Sequence, residues 1–158
     1  MEKLLVFALS GLHCALRLSD IERVLRAVEI TPVPKAPEIV IGLVNVQGRV
    51  IPVLNIRKLL RLPEVEISLD DQIILARTTT FPVALVVDNV PVVAEFSEQD
   101  IVAPAELYAG LEYLEGVTKL QGGIVYIYNL DRFLSSAEKS EIEHLLSEGI
   151  SMSADQET

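Results

Sequence analysis

The sequence predicts an all-β protein with short helices, assembled from two similar β-subdomains that share one core. Three observations carry that prediction. Val and Ile together number 33 of 158 residues against 12 Ala, and β-branched side chains suit pleated strands better than helices. Short apolar runs recur along the chain, bounded by Gly, Pro, Asn and Ser. The chain also repeats itself. Gly42–Leu60 (GLVNVQGRVIPVLNIRKLL) aligns without gaps with Gly116–Leu134 (GVTKLQGGIVYIYNLDRFL). Gly42 matches Gly116, Gln47 matches Gln121, Gly48 matches Gly122, Asn55 matches Asn129 and Leu60 matches Leu134. A weaker echo links residues 14–21 (CALRLSDI) with residues 83–90 (VALVVDNV). Two units are too few for a solenoid, so a pair of related subdomains fits the duplication.

Residues 4–9 and 13–18 read as strands flanking a Ser10-Gly11 turn. The charged start and apolar run of residues 1–15 also resemble a signal peptide. However, Glu2 cancels Lys3, and His13 stands before Cys14 where a lipoprotein site needs a small residue. The reading is therefore a first strand. Ser19-Asp20-Ile21-Glu22 is a capping-box pattern that predicts a helix from about Ser19 to Ala27. Residues 28–33 are extended, and Pro32, Pro34 and Pro37 mark a turn-rich crossing. Residues 44–47 and 49–55 form a hairpin about Gly48, because glycine reaches positive φ without steric cost. Residues 117–121 and 124–129 form its counterpart about Gly122-Gly123. Each hairpin leads into a short amphipathic piece, residues 56–60 and 130–134, with Asn55 and Asn129 placed as N-caps.

Residues 64–71 are a polar loop that divides the halves, so the repeats span about 1–63 and 70–136 of a domain covering 1–136. Residues 72–77, 82–88 and 90–96 are strands, and 97–101 start a helical turn. Ser135 or Ser136 caps a last helix, counted as residues 137–149, with Ile142, Leu145 and Leu146 on one face and Gly149 at its end. Residues 150–158 read as a disordered tail.

Composition excludes several function classes. Half the residues are hydrophobic and 23% are charged, which a disordered chain does not show. The net charge is −10, and no basic stripe offers a nucleic-acid or anionic-lipid footprint. No run reaches the ~18 apolar residues of a membrane span. One cysteine permits no intrachain disulfide, and Cys14, His13 and His144 cannot assemble the usual four-ligand structural zinc site. The reducing cytoplasm is the natural compartment.

Catalytic chemistry finds no foothold. His13 and Cys14 are strand neighbours that point to opposite faces, so they cannot act as a thiolate–imidazole pair. Cys14 reads as a small core residue and His13 as a surface one. His144 sits on the last helix beside acidic residues and reads as a surface histidine. Asp70-Asp71 and Glu64/Glu66 read as a solvated linker. No nucleophile elbow, Walker loop, dinucleotide fingerprint or zinc-protease motif occurs. No catalytic residue, metal ligand or cofactor site is expected.

What remains is surface. Residues 50–54 (VIPVL) are apolar on both faces, yet Pro52 lacks the N–H that a central strand donates. Two readings stay open there. One is an apolar edge strand that invites a partner; the other is a strand covered by the chain itself.

The block Gly42-x-x-Asn45-x-x-Gly48-x-x-x-Pro52, continued by Val53-Leu54-Asn55-Ile56-Arg57, resembles the signature of the chemotaxis coupling protein family CheW. Residues 30–34 (ITPVP), 114–116 (LEG) and 127–130 (IYNL) fit the same pattern, and the resemblance spans roughly residues 3 to 135. It implies two intertwined five-stranded SH3-like barrels around a shared core. It also implies a non-catalytic adaptor that bridges chemoreceptor cytoplasmic tips to a histidine kinase, the kinase's regulatory domain having the same fold. The receptor-facing patch it implies is Ile21, Arg23, Val24, Gly42 and Gln47, with Gly42 keeping the approach free of a side chain.

Two positions depart from the family pattern. Gln47 stands where Arg is usual, losing a charge and a bidentate fork. Arg23 stands where an acidic residue is usual, inverting a charge at a rim. Because Gln47 matches Gln121, glutamine also has a plain turn role. A divergent member that binds one partner only, and caps or modulates another pathway such as surface motility, is the alternative reading. An exported protein or small hydrolase is the remote one.

Overall fold

In the computed structural model the described residues are 2–26, 29–68, 70–103, 114–120 and 123–156. They form ten strands: β1 Glu2–Leu9, β2 Leu12–Arg17, β3 Ile21–Arg26, β4 Val40–Val46, β5 Arg49–Leu54, β6 Gln72–Arg77, β7 Pro82–Val87, β8 Asn89–Phe96, β9 Leu114–Leu120 and β10 Gly123–Tyr128. Two α-helices, α1 Ile56–Leu59 and α2 Ser136–Gln156, and short 3-10 turns complete the chain.

The strands build two five-stranded sheets, β8-β1-β2-β10-β9 and β3-β6-β7-β5-β4. The second order is the first with each strand replaced by its repeat partner. Each sheet therefore takes its first hairpin from one repeat and its other three strands from the other repeat. The architecture is that of two intertwined SH3-like barrels. Register repeats along with order: β2 pairs parallel with β10, and β7 pairs parallel with β5, while the other pairs are antiparallel.

Three apolar clusters follow from strand alternation. Val44, Val46, Ile51, Val53, Ile73 and Leu75 fill one barrel. Leu4, Val6, Ala15, Phe96, Val125 and Ile127 fill the other. The residues of opposite parity, including Leu5, Phe7, Cys14, Leu16, Ile74, Val83 and Leu85, face a larger core between the barrels. Phe133 and Ile142 close that core from the C-terminal side.

Several expectations are met. Ser10 (φ +50°) and Gly11 (φ +82°) make the first turn, and Gln47 (φ +53°) and Gly48 (φ +85°) make the β4–β5 turn. Two successive positive φ values are the signature of the tight turn whose twist matches a hairpin. Asn55 caps α1 by accepting from the Lys58 N–H, and Asn129 caps the turn Leu130–Phe133 by accepting from the Asp131 N–H. The apolar start of the chain is β1, paired on both sides. Val28 and the Gln121-Gly122 turn lie outside the described residues.

Two expectations are corrected, and one open pair of readings is decided. The predicted helix over Ser19–Ala27 is a 3-10 turn, Leu18–Asp20, followed by strand β3; Ala27 lies outside the described residues. Pairing of Val24 and Leu25 with Ile74 and Ile73 on β6 outweighs the local capping signal. Residues 50–54 are no edge: β5 lies between β7 and β4, and Ile51–Leu54 are buried. Pro52 is tolerated because the pairing with β7 involves only Val53 and Leu54. Finally, α2 runs through Gly149 to Gln156, so residues 151–156 are helical and only 157–158 of the expected tail lie outside the described residues. A helix-interior glycine costs only about 1 kcal/mol relative to alanine, which need not end a helix.

Candidate protein-docking surface

The patch expected to face a partner lies on the barrel made of β3, β6, β7, β5 and β4. Strand β3 is an edge of that sheet. Its register shifts between Ile21 and Arg23, leaving Glu22 as the extra residue. Ile21 and Val24 are half-buried and pack against the shared core, whereas Arg23 is exposed. Gln47 is exposed at the β4–β5 turn, which Asn45 braces by accepting the Gly48 N–H at 2.9 Å.

Strand β3 and this turn belong to opposite ends of the sheet, and barrel curvature brings them together. Arg49, just past the turn, donates to both Glu22 carboxylate oxygens, at 2.5 and 3.3 Å. Arg77 at the end of β6 approaches the same carboxylate at 4.0 Å. The Arg49 hydrogen bond holds the Glu22 carboxyl below its ordinary range, aided by the charges of Arg49, Arg77 and Arg23, and the Arg49 guanidinium is raised in turn. Glu22, Arg49 and Arg77 carry no sequence motif. Glu22 is disguised as the acid of a capping box, and a pair 27 residues apart exists only because a barrel closes.

Gly42 has a different role from the one expected. It is buried, and a Cβ there would strike the carbonyl oxygen of Thr31 and the Ile30 side chain. Thr31 exchanges two backbone hydrogen bonds with Leu43, both 2.8 Å. The close approach that Gly42 permits is thus made by the chain's own proline-rich crossing. Gly116 repeats the device: a Cβ there would strike Ile101, and Val102 exchanges hydrogen bonds with Val117 at 2.8 and 3.0 Å.

The other barrel presents a different edge. Strand β8 ends its sheet, and Val92 and Val93 are 48% and 51% exposed. Val102 and Ile124 of the same half are also exposed. At the join of β1, β2 and β9, Arg17 forms ion pairs with Glu2, Glu98 and Glu115 and lies 5.8 Å from the Phe96 ring centroid.

The residues considered for chemistry are dispersed. Cys14 is fully buried, and burial pushes its thiol up to about 12, far from a usable thiolate. His13 is exposed beside it, and His144 is exposed on α2. Asp71 accepts the Ser68 N–H within the linker, and Glu64 reaches the Asn55 amide at 3.5 Å. Among the described residues, no group of three His, Cys, Asp or Glu is arranged to hold a metal, and no helix is long and apolar enough to cross a membrane.

Known proteins share this arrangement. The CheW-like domain family profile matches residues 3–138. A chemotaxis protein CheW of Thermotoga maritima is 30% identical over 145 residues, covering 88% of this chain and 91% of that protein. Protein FrzA of Myxococcus xanthus is 25% identical over 139 residues, covering 86% and 87%. The crystal structure of the scaffolding protein TtCheW from Thermoanaerobacter tengcongensis superposes with a TM-score of 0.79 at 27% identity, over 87% of this chain and 94% of that one. The block that spans Gly42 to Pro52, the duplicated barrels and the match across residues 3–138 agree: the chain belongs to the CheW-like domain family.

Proposed function

We propose that this chain is a non-catalytic chemotaxis adaptor that couples chemoreceptor cytoplasmic tips to the regulatory domain of a histidine kinase in the cytoplasm. A coupler must hold two partners at once, so it needs two separate surfaces. The observation that carries the reading is that two barrels of one architecture present edges of opposite chemistry. One edge is charged, around Arg23 and Arg77. The other is apolar, at Val92 and Val93. Ile21, Arg23, Val24 and Gln47 form the receptor-facing patch. Gly42 supports it from beneath by letting Thr31 cross β4. The adaptor needs no cofactor, and the partner kinase carries the phosphoryl chemistry.

Immobilised full-length chain, mixed with receptor-tip fragments and the kinase regulatory domain from the same genome, tests the proposal. The expected result is a ternary complex in which neither partner displaces the other. Binding to neither overturns the adaptor role. Binding to one alone overturns coupling and leaves a capping protein.

A further inference from the structure

A cavity of about 240 Å³ lies between the linker of residues 64–71 and the end of β5. Its apolar lining comes from Ile41 on β4, Leu54 on β5, Ile56 on α1 and Val86 on β7. That volume falls short of the roughly 300–1,000 Å³ of small-molecule sites and suits a single long side chain. Val65 and Ile67 of the linker also line it, yet they are 60% and 46% exposed. Acidic and apolar residues alternate from Glu64 to Ile67 with the period of a strand. No strand pairs with them, and the backbone of residues 65–67 forms no hydrogen bond among the described residues. The lining carries three carboxylates, Glu64, Glu66 and Asp71. Its one basic residue, Arg57, is committed to Asp88 and Ser10, so the negative charge there is uncompensated. Unpaired strand-like backbone, exposed apolar side chains and free negative charge beside a cavity are together matched by a strand that is both apolar and basic.

We propose that this linker is a third docking surface and that it takes an extended basic segment of a partner protein. It is separate from the edge strands β3 and β8, no residue of which lines the cavity. The partner's backbone pairs with that of residues 65–67, as in strand addition. Its apolar side chains cover Val65 and Ile67. The aliphatic stem of one lysine or arginine enters the cavity against Ile41 and Ile56, and its charged head meets Glu64, Glu66 and Asp71. A second copy of this chain is a poor occupant, because it brings the same carboxylates face to face.

The test titrates the full isotope-labelled chain with two capped pentapeptides, one alternating valine with lysine and one alternating valine with glutamate, and follows the amide resonances. The lysine peptide should shift residues 54–57 and 64–71 and bind at least about fivefold more tightly than the glutamate peptide. Raising NaCl from about 50 to about 500 mM should shrink that preference, because salt screens exposed pairs. Glu66→Lys should weaken the lysine peptide about fivefold, the scale of reversing one exposed ion pair. Val65→Ser should weaken it about threefold at either salt level, through lost apolar contact. Should thermal melting show that Glu66→Lys disturbs the fold, Glu66→Gln at the same exposed site gives a smaller loss of about twofold. Absence of shifts in the linker, or equal binding of the two peptides, overturns the inference. No receptor or kinase takes part, so that failure leaves the coupling function to its own test.

Discussion

The two barrels share strand order, register and parallel closure, yet they differ at almost every polar tie. Arg23 faces Leu75 across the β3–β6 ladder, and Val92 faces Val6 at the matching place in β8–β1. One edge is therefore cationic and the other apolar at equivalent positions. The turns diverge in the same way. Ser10 is clasped by Asp88, which accepts its N–H at 2.8 Å, and by buried Arg57, which donates to the Ser10 hydroxyl at 2.7 Å and to Asp88 at 2.5 Å. In the other half, Asp131 stands at the position of Arg57 and accepts the Thr79 N–H at 2.7 Å. The lesson is that backbone pairing and apolar parity carry the duplicated fold. Side chains at the rims are free to diverge into different docking chemistry.

The matched glycines offer the largest break in this comparison. Gly42→Ala drives a Cβ into a backbone carbonyl, which cannot move without displacing the Ile30–Thr31 crossing. Gly116→Ala meets chiefly the Ile101 side chain, which can rotate. Overpacking costs of about 3 kcal/mol for the first and about 1 kcal/mol for the second are expected. Urea denaturation of both variants checks the order, and equal losses would mean that the crossings are equally yielding.

The clasps come next. Arg57→Ala takes the ion-pair partner from half-exposed Asp88, which keeps only the Ser10 N–H, and frees the Ser10 hydroxyl, for a loss of about 2 kcal/mol. Asp131→Ala removes the acceptor of an exposed N–H and should cost about 1 kcal/mol or less. Chemical denaturation ranks them. A larger loss for Asp131→Ala would place the tighter clasp in the other half.

The smallest effect concerns the junctions before the edge strands, where Asp20 matches the neutral Asn89. Burial, then the nearby Asp131 charge, raises the Asp20 carboxyl above its ordinary value; Arg17 opposes the rise and Glu115 adds to it. The folded state therefore holds this proton more tightly than the unfolded chain does. Stability from this group grows as pH falls from the raised value towards the ordinary aspartate range, and it is lost as pH rises through the raised value. Asp20→Asn should thus melt slightly higher than wild type at pH 7, with the gap closing towards pH 4. A variant that melts lower at pH 7 would show Asp20 to be a favourable partner of Arg17.

Much of the fold was legible because periodicity and turn chemistry are local. The duplicated block, the positive-φ turn at Gly48 and the asparagine caps all follow from neighbouring residues. The capping box shows the limit. Ser135 and Glu138 complete one, the Ser135 hydroxyl accepting the Glu138 N–H at 3.1 Å and the Glu138 carboxylate accepting the Ser135 N–H at 2.9 Å, and α2 follows. Ser19 and Glu22 carry the same signal, yet a strand follows, because β6 offers a ladder of buried partners to Val24 and Leu25. Of the charged cluster about Glu22, only Arg23 carries a signal in the sequence. Glu22 lies inside the capping-box pattern, and Arg49 and Arg77 meet it only through closure.

The sequence alone determined that the chain is β-rich and duplicated, because composition and short-range spacing already constrain those properties. Tertiary structure decided which strands are edges, which glycine is covered by the chain itself and where unneutralised charge accumulates. Those outcomes depend on contacts between segments tens of residues apart, whose energies no local pattern encodes.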